Sequence, residues 1–390
     1  MDKFCSWAER VAKEPISLPS PEAVQKTTQL LSEAHKPLLI IGEGCGWGNL
    51  QLLRSSLDRL NLPVLPTPMA KGILPDDHPL IVSPARSKVL QEADAILLAG
   101  APLNWQLHFG APPRFRPQYS LVQLDEHSGH MHRNKEAQVV LVGDIAQSIS
   151  LISQRFCFSA ISTWMRDVSE KVAANRQIVE AMSMDASQPL SYYAAYKPIR
   201  DLMPRSAYVI NEGANTMDIG RTMLPTFHPK HRLDAGRFGT MGVGLGFAIA
   251  AALHVRSREP GTAVVAVFGD SAFGFAAAEL ETAVRHKLPI VIVVLNNNGI
   301  YQGMDQEAWQ TMDDPALDCP PTSLLPEVRY ERMAEAMGAQ AFLCRAQDEI
   351  GAAFAAALRV KDSPSLLNVL ISPTAERKKQ DFDWLTRSKI

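Results

Sequence analysis

The sequence has no run of about 18 apolar residues, so no membrane-spanning helix is expected. Its nearest approach, residues 241–253, is too short and is rich in small side chains. Cysteine is scarce. The five stand at positions 5, 45, 157, 319 and 344, and no two form a Cys-x-x-Cys. An odd number of scattered cysteines predicts reduced, mostly buried thiols in a reducing compartment and offers no zinc or redox motif. An excess of one charge is also lacking: lysine and arginine number 39, aspartate and glutamate 41, for a net charge of −2. That balance excludes a protein acting mainly through a broad basic field, and no nucleic-acid partner is expected. No internal repeat or low-complexity segment occurs. The opening Met1-Asp2-Lys3-Phe4 has no apolar core and predicts no signal peptide.

What is present is an ordinary globular composition, 46% hydrophobic and 21% charged over 390 residues, enough for two or three domains with their own cores. Pro21 and Glu22 begin a helix that the pattern carries to about His35. Short apolar runs follow at 38–41, 95–99, 121–124 and 139–142. Buried strands alternating with helices predict a parallel sheet. From Ser150 to about Ala186 the pattern is polar and helical, which suits a connection between domains. A second α/β region has strands at 208–211, 264–268, 290–295 and 366–371, and the first three end in turns rich in glycine or asparagine. In a parallel sheet, ligands gather at those carboxyl ends.

The strongest pattern is the strand 264–268 running into Gly269-Asp270-Ser271-Ala272-Phe273, with a helix expected from about Ser271 to Arg285. Asp270 offers a hard oxygen, and a helix start offers free N–H groups, a pairing suited to a phosphate with a divalent cation. Asn296-Asn297-Asn298-Gly299-Ile300-Tyr301 closes the next strand, with Asn297 standing 27 residues after Asp270. One helix and one strand fit that interval, so both groups reach the same edge of the sheet. Taken separately, Asp270 would simply cap a helix and the asparagines would make a turn.

Together they resemble the metal-diphosphate motif of thiamine-diphosphate-dependent enzymes. The resemblance implies two Rossmann-like, parallel-sheet α/β domains. It divides the chain into a linker remnant (1–18), a central domain (19–150), a helical connection (151–188), a diphosphate-binding domain (189–373) and a tail (374–390). It implies Mg²⁺ held by the Asp270 carboxylate, the Asn297 side-chain oxygen and the Gly299 carbonyl, an all-oxygen set that suits the ion. It places Asn215, Thr216, Gly269, Ser271, Ala272, Ile300 and Tyr301 around the cofactor. Thr240, Met241 and Gly242 lie in a glycine-rich turn where Met241 props the cofactor into a bent shape.

Within that family, Glu212-Gly213-Ala214-Asn215-Thr216-Met217-Asp218-Ile219-Gly220-Arg221 and the two motifs above are close to 2-hydroxyacyl-CoA lyase. Oxalyl-CoA decarboxylase, a relative of that lyase that shares much of these motifs, is the alternative. The resemblance implies cleavage of a 2-hydroxyacyl-CoA substrate to formyl-CoA and an aldehyde one carbon shorter, as in fatty acid α-oxidation. Arg377, Lys378 and Lys379 would lie near the CoA phosphates if the tail closes as a lid; a solvated charged tail is the other reading. In the central domain Asp125 sits where relatives contact an adenine nucleotide. Pro102, however, replaces a phosphate-contacting arginine, and Gly42, Gly44, Gly46 and Gly48 do not make a Gly-x-Gly-x-x-Gly, which argues against a nucleotide there. His127, His130 and His132 read as a surface loop.

The family needs a pyrimidine-binding domain whose glutamate activates the cofactor. Only about 18 residues precede the central domain here, and no glutamate of this chain takes that role. Three readings follow: a shortened lyase inactive alone, a subunit that works in a homo-oligomer or with a partner supplying that domain, or a non-catalytic cofactor-binding partner. The final Ser388-Lys389-Ile390 resembles the peroxisomal Ser-Lys-Leu signal, so a peroxisomal location is expected, with the cytoplasm as alternative.

Overall fold

The structure, a computed structural model, describes residues 16–156 and 161–378. Cys5, Cys157, Lys379 and the Ser388-Lys389-Ile390 signal lie outside the described residues. By its contacts the chain divides into two compact units. One takes in the residues up to Pro63 together with Gln91–Trp164; the other takes in Val64–Leu90 and the residues from Met165 onward. No described helix is long and apolar enough to cross a membrane.

In the first unit, helix α1 (Pro21–Glu33) begins as its sequence dictates. The Ser20 side chain accepts from the Ala23 N–H, and Pro21 occupies the first turn, where its missing N–H costs nothing. Strand β1 (Pro37–Ile41) is buried along its whole length. It pairs in parallel with β2 (Ala95–Ala99), which pairs with β3 (Ser120–Asp125), and that with β4 (Val139–Val142). Helix α2 (Leu50–Leu60) is capped by Asn49 and ended by Asn61 in the left-handed conformation. Helix α3 (Ile145–Arg155) is capped by Asp144. Ser150 therefore lies inside this helix, and the polar helical segment expected from Ser150 is two helices, α3 and α4 (Ile161–Met184). The glycines at 42 and 44 serve close backbone approach: a Cβ on Gly42 would lie 2.1 Å from the Gly100 carbonyl oxygen. Their N–H groups donate to the carbonyls of Ala99 and Gly100.

The second unit is built on six parallel strands. These are β5 (Tyr208–Glu212), β6 (Arg232–Leu233), β7 (Val264–Gly269), β8 (Ile290–Asn296), β9 (Gln340–Cys344) and β10 (Ser365–Leu370), in the order β9-β10-β8-β7-β5-β6. Side-chain alternation splits the strands between two cores. Val265, Val267, Val291 and Val293 pack with Tyr192, Tyr193 and Tyr196 of helix α5 (Tyr192–Leu202) and with Phe354. Ala266, Phe268, Ile292 and Val294 pack with Leu245, Ala248 and Ala252 of helix α7 (Gly244–Arg258). Helix α6 (Ala214–Met223) follows β5.

Three strands were not expected: β6, β9 and the short Val64–Pro66. β9 is partly exposed and opens on the polar Gln340, and β6 is only two residues long. Its Arg232 is nevertheless fully buried, donating to the Leu224 carbonyl at 3.1 Å and to Asn211 Oδ1 at 2.7 Å. One expectation is corrected: no single helix runs from 271 to 285. Helix α8 (Asp270–Gly274) stops after one turn, tighter i→i+3 bonds continue through 275–280, and α9 (Glu279–Arg285) follows. Gly274 is a poor helix former, and the next side chain, Phe275, faces solvent instead of packing along a helix face.

Candidate active site

The carboxyl ends of β5, β7 and β8 meet at one edge because the three strands are parallel neighbours in register: Glu212 pairs with Phe268, and Gly269 with Leu295. Each strand then turns sharply. Gly213 has φ +115°, and a Cβ on it would lie 3.1 Å from the Gly269 nitrogen, so the first two turns touch. Gly269 in turn lies against Thr216, whose Oγ1 is 3.2 Å from where its Cβ would be.

Asp270 is buried at the centre of this edge, only 1% exposed. Its Oδ1 accepts the Ser271 N–H at 2.7 Å and its Oδ2 the Gly299 N–H at 3.0 Å. Burial pushes its carboxyl up to about 7, against the opposing pull of backbone N–H groups of Ser271, Gly299, Asn298 and Asn297. The N–H groups thought free for a phosphate are thus partly taken by Asp270 itself. Asn297 donates its side-chain amide to the Tyr301 carbonyl at 3.2 Å, and Asn215 donates to the same carbonyl at 3.0 Å. Asn215 Oδ1 is buried with no hydrogen-bond partner among the described residues. Asn298, at φ +63°, ties the loop down: its amide donates to the Met304 carbonyl and its Oδ1 accepts the Glu327 N–H.

Asn215, Thr216, Gly269, Asp270, Ser271, Ala272, Asn297, Gly299 and Tyr301 therefore form one cluster. Ile300 is half exposed beside it. Thr240, Met241 and Gly242 occupy a separate turn, linked to the cluster's chain through Phe275, whose Cβ would lie 3.4 Å from a Cβ on Gly242.

Two family models match this chain: the central domain of thiamine pyrophosphate enzymes over residues 24–152, and their C-terminal TPP-binding domain over residues 212–369. The chain belongs to the thiamine pyrophosphate enzymes. Among its relatives in that family, mouse 2-hydroxyacyl-CoA lyase 1 is 44% identical across 96% of this chain and 66% of its own length. The human 2-hydroxyacyl-CoA lyase 1 is 42% identical across 98% and 68%. Oxalyl-CoA decarboxylase of Escherichia coli is 36% identical across 93% and 63%. The chain thus spans about two thirds of the length of the curated relatives it matches. A crystal structure assigned to the thiamin diphosphate-dependent enzymes, from Mycobacterium smegmatis, shares the fold with a TM-score of 0.70 at 22% identity, covering 93% of this chain and 66% of that one.

In this thiamine pyrophosphate enzyme two of the tail cations, Arg377 and Lys378, are engaged by protein groups. Arg377 donates to Asp218 Oδ2 at 2.5 Å and to the Tyr301 hydroxyl at 2.7 Å, and Lys378 Nζ donates to Asn175 Oδ1 at 2.8 Å. Both cations therefore bind protein groups where the resemblance implied CoA phosphates. Two tyrosines of α5 escaped the sequence reasoning. The buried Tyr192 hydroxyl lies beside Asn215 and Thr216, and burial, with the Asp270 charge, holds its ionisation above the usual phenol value. Tyr196 donates to the Thr216 carbonyl at 2.7 Å. They belong to no motif that the sequence displays. In the first unit, Asp125 accepts the His127 N–H at 2.9 Å and lies 3.2 Å from His130 Nδ1, while His132 Nδ1 accepts from Ala137.

Proposed function

We propose that this chain carries the diphosphate half of a thiamine-diphosphate-dependent carbon–carbon lyase acting on 2-hydroxyacyl-CoA thioesters, with formyl-CoA and a shortened aldehyde as products. The observation that carries this is the oxygen-rich cluster around Asp270. A carboxylate so deeply buried carries a desolvation cost that a divalent cation would offset. The unpartnered Asn215 Oδ1 and the Asn297 amide, both oriented by the Tyr301 carbonyl, add neutral oxygens at the same edge.

The residues fit the cofactor. Asp270, Asn297 and Gly299 would hold Mg²⁺; Asn215, Thr216, Ser271 and Ala272 would line the diphosphate, with Gly269 letting it approach closely. Ile300 and Tyr301 would flank it, and the turn at Thr240, Met241 and Gly242 would face its rings. Thiamine diphosphate, when bound, supplies the electron sink for the carbon whose bond breaks. The residues of this chain bind and orient it; none is assigned the activating carboxylate, so turnover is proposed for an assembly that includes a pyrimidine-binding domain. The lyase reading is preferred to oxalyl-CoA decarboxylation because the lyases are the more similar relatives, at 44% and 42% against 36%.

The test supplies the assembled protein with thiamine diphosphate, Mg²⁺ and either a 2-hydroxyacyl-CoA or oxalyl-CoA, and follows aldehyde and CO₂. Aldehyde with formyl-CoA from the first substrate is expected. CO₂ from the second, with no aldehyde from the first, would exclude the lyase.

A further inference from the structure

One buried acid at the site's edge is used by nothing above. Glu212, the last residue of β5, is 1% exposed, yet it pairs with no lysine or arginine among the described residues. Both of its oxygens turn to backbone. Oε1 accepts the Gly242 N–H, Oε2 accepts the Gly244 N–H at 2.5 Å, and the Val243 N–H lies against the same carboxylate. These N–H groups open helix α7, whose first turn has no intrahelical acceptors for them. The fit is mutual. A Cβ on Gly244 would lie 2.5 Å from Glu212 Oε2 and 2.4 Å from the Phe268 ring, and Gly242 holds φ +85°, a conformation suited to glycine. The turn so fastened carries Thr240 exposed and Met241 half-buried beside the exposed ring of Phe275, an apolar lip outside the core.

We infer that Glu212 is a positioning residue for the ring end of the cofactor site: its carboxylate sets the Thr240–Met241–Gly242 turn in the shape that receives the rings, while touching neither the cation nor the diphosphate. This rests on the cofactor assignment proposed above. A strand end, not the turn itself, thereby fixes the lip, across 30 residues of sequence. Burial raises the Glu212 carboxyl, and the three N–H groups pull it back towards the charged form that can accept them all.

The two ends of the site can be probed separately, because inorganic pyrophosphate has no rings. The experiment measures binding of Mg²⁺-thiamine diphosphate and of Mg²⁺-pyrophosphate to the full chain by calorimetry, for the natural protein and for Glu212→Gln. The glutamine amide presents an NH₂ where an acceptor is needed. Thiamine diphosphate affinity is expected to fall about ten-fold or more, and pyrophosphate affinity to stay within about two-fold. Amide exchange at Gly242, Val243 and Gly244 should speed up while that of strand 264–269 does not. If Glu212→Gln does not fold, Glu212→Asp, one methylene short of the turn, carries the same comparison. Equal losses for both ligands, no loss for either, or a natural protein that binds thiamine diphosphate no better than pyrophosphate would overturn the inference. A natural protein that binds neither would instead overturn the cofactor assignment on which it rests.

Discussion

Asn215 and Asn297 donate their side-chain amides to one and the same carbonyl, that of Tyr301, from 3.0 and 3.2 Å. One residue comes from the start of a helix and the other from the end of a strand 82 positions later, and the loop residue Tyr301 joins them. This shared acceptor fixes which edge of each amide points away from the loop.

Residues that share a partner do not contribute independently. Asn215→Ala and Asn297→Ala should each lower the melting temperature, and the double variant should lose less than the sum. A coupling of about 0.5–3 kcal/mol in a double-mutant cycle is expected. Simple additivity would show that the Tyr301 carbonyl does not join the two.

Asp270 is the charge on which the proposed cation site depends. Asp270→Asn keeps the size of the side chain and removes the charge. Titration with Mg²⁺ and pyrophosphate should show affinity reduced by more than about ten-fold, because a hard divalent ion prefers a carboxylate to an amide oxygen. Unchanged affinity would move the cation elsewhere.

Gly213 is the turn that lets β5 and β7 meet. Gly213→Ala combines a φ of +115° with a Cβ 3.1 Å from the Gly269 nitrogen, so both backbone strain and crowding oppose it. A loss of about 1–3 kcal/mol in denaturant unfolding is expected. Gly246, where a Cβ meets nothing within 4 Å, serves as the control: Gly246→Ala should not destabilise.

His231 carries a pH dependence of stability. It stacks on Tyr208 at 4.0 Å, its Nδ1 faces the Ser206 carbonyl, its Nε2 is 3.9 Å from Glu259, and His228 lies beside it. Burial holds its ionisation below the ordinary 6.5, outweighing the pull of the Ser206 carbonyl and the Glu259 charge. The unfolded chain therefore takes up the proton first, so this contribution is full at neutral pH and is lost as pH falls below about 6.5. The melting temperature should drop between pH 7.5 and 5.5, and His231→Gln should flatten that part of the profile. A profile of the same slope in the variant would assign the drop to other groups.

The described cysteines should differ in reactivity. Burial pushes the Cys45 and Cys344 thiols up to about 12, whereas Cys319 is half-exposed. Brief alkylation of the folded protein near pH 8, read by peptide mass, should label Cys319 well before Cys45 or Cys344. Equal labelling would contradict the burial of the latter two.

The sequence by itself determined eight of the parallel strands, their order in the chain, and the placement of Asp270 and Asn297. That was possible because β7 and β8 are consecutive in the chain and adjacent in the sheet, so 27 residues necessarily bring one strand end beside the next. Asn215 and Thr216 reach the same edge at the end of β5, a parallel neighbour of β7 in the sheet. Tertiary structure decided everything that depends on where a side chain points across many residues. Glu212 heads the Glu212–Arg221 motif, and only the fold brings its carboxylate to Gly242 and Gly244. Tyr192 and Tyr196 belong to no motif, and apolar periodicity reports a buried face but not the hydroxyl at its rim. The helix expected after Asp270 breaks at Gly274, a boundary that periodicity locates poorly. Arg377 looked like a free cation in a charged tail, and its partners, Asp218 and Tyr301, are 159 and 76 residues away. Local pattern fixes most elements and their order; long-range contacts between side chains and backbone fix the shape of the site.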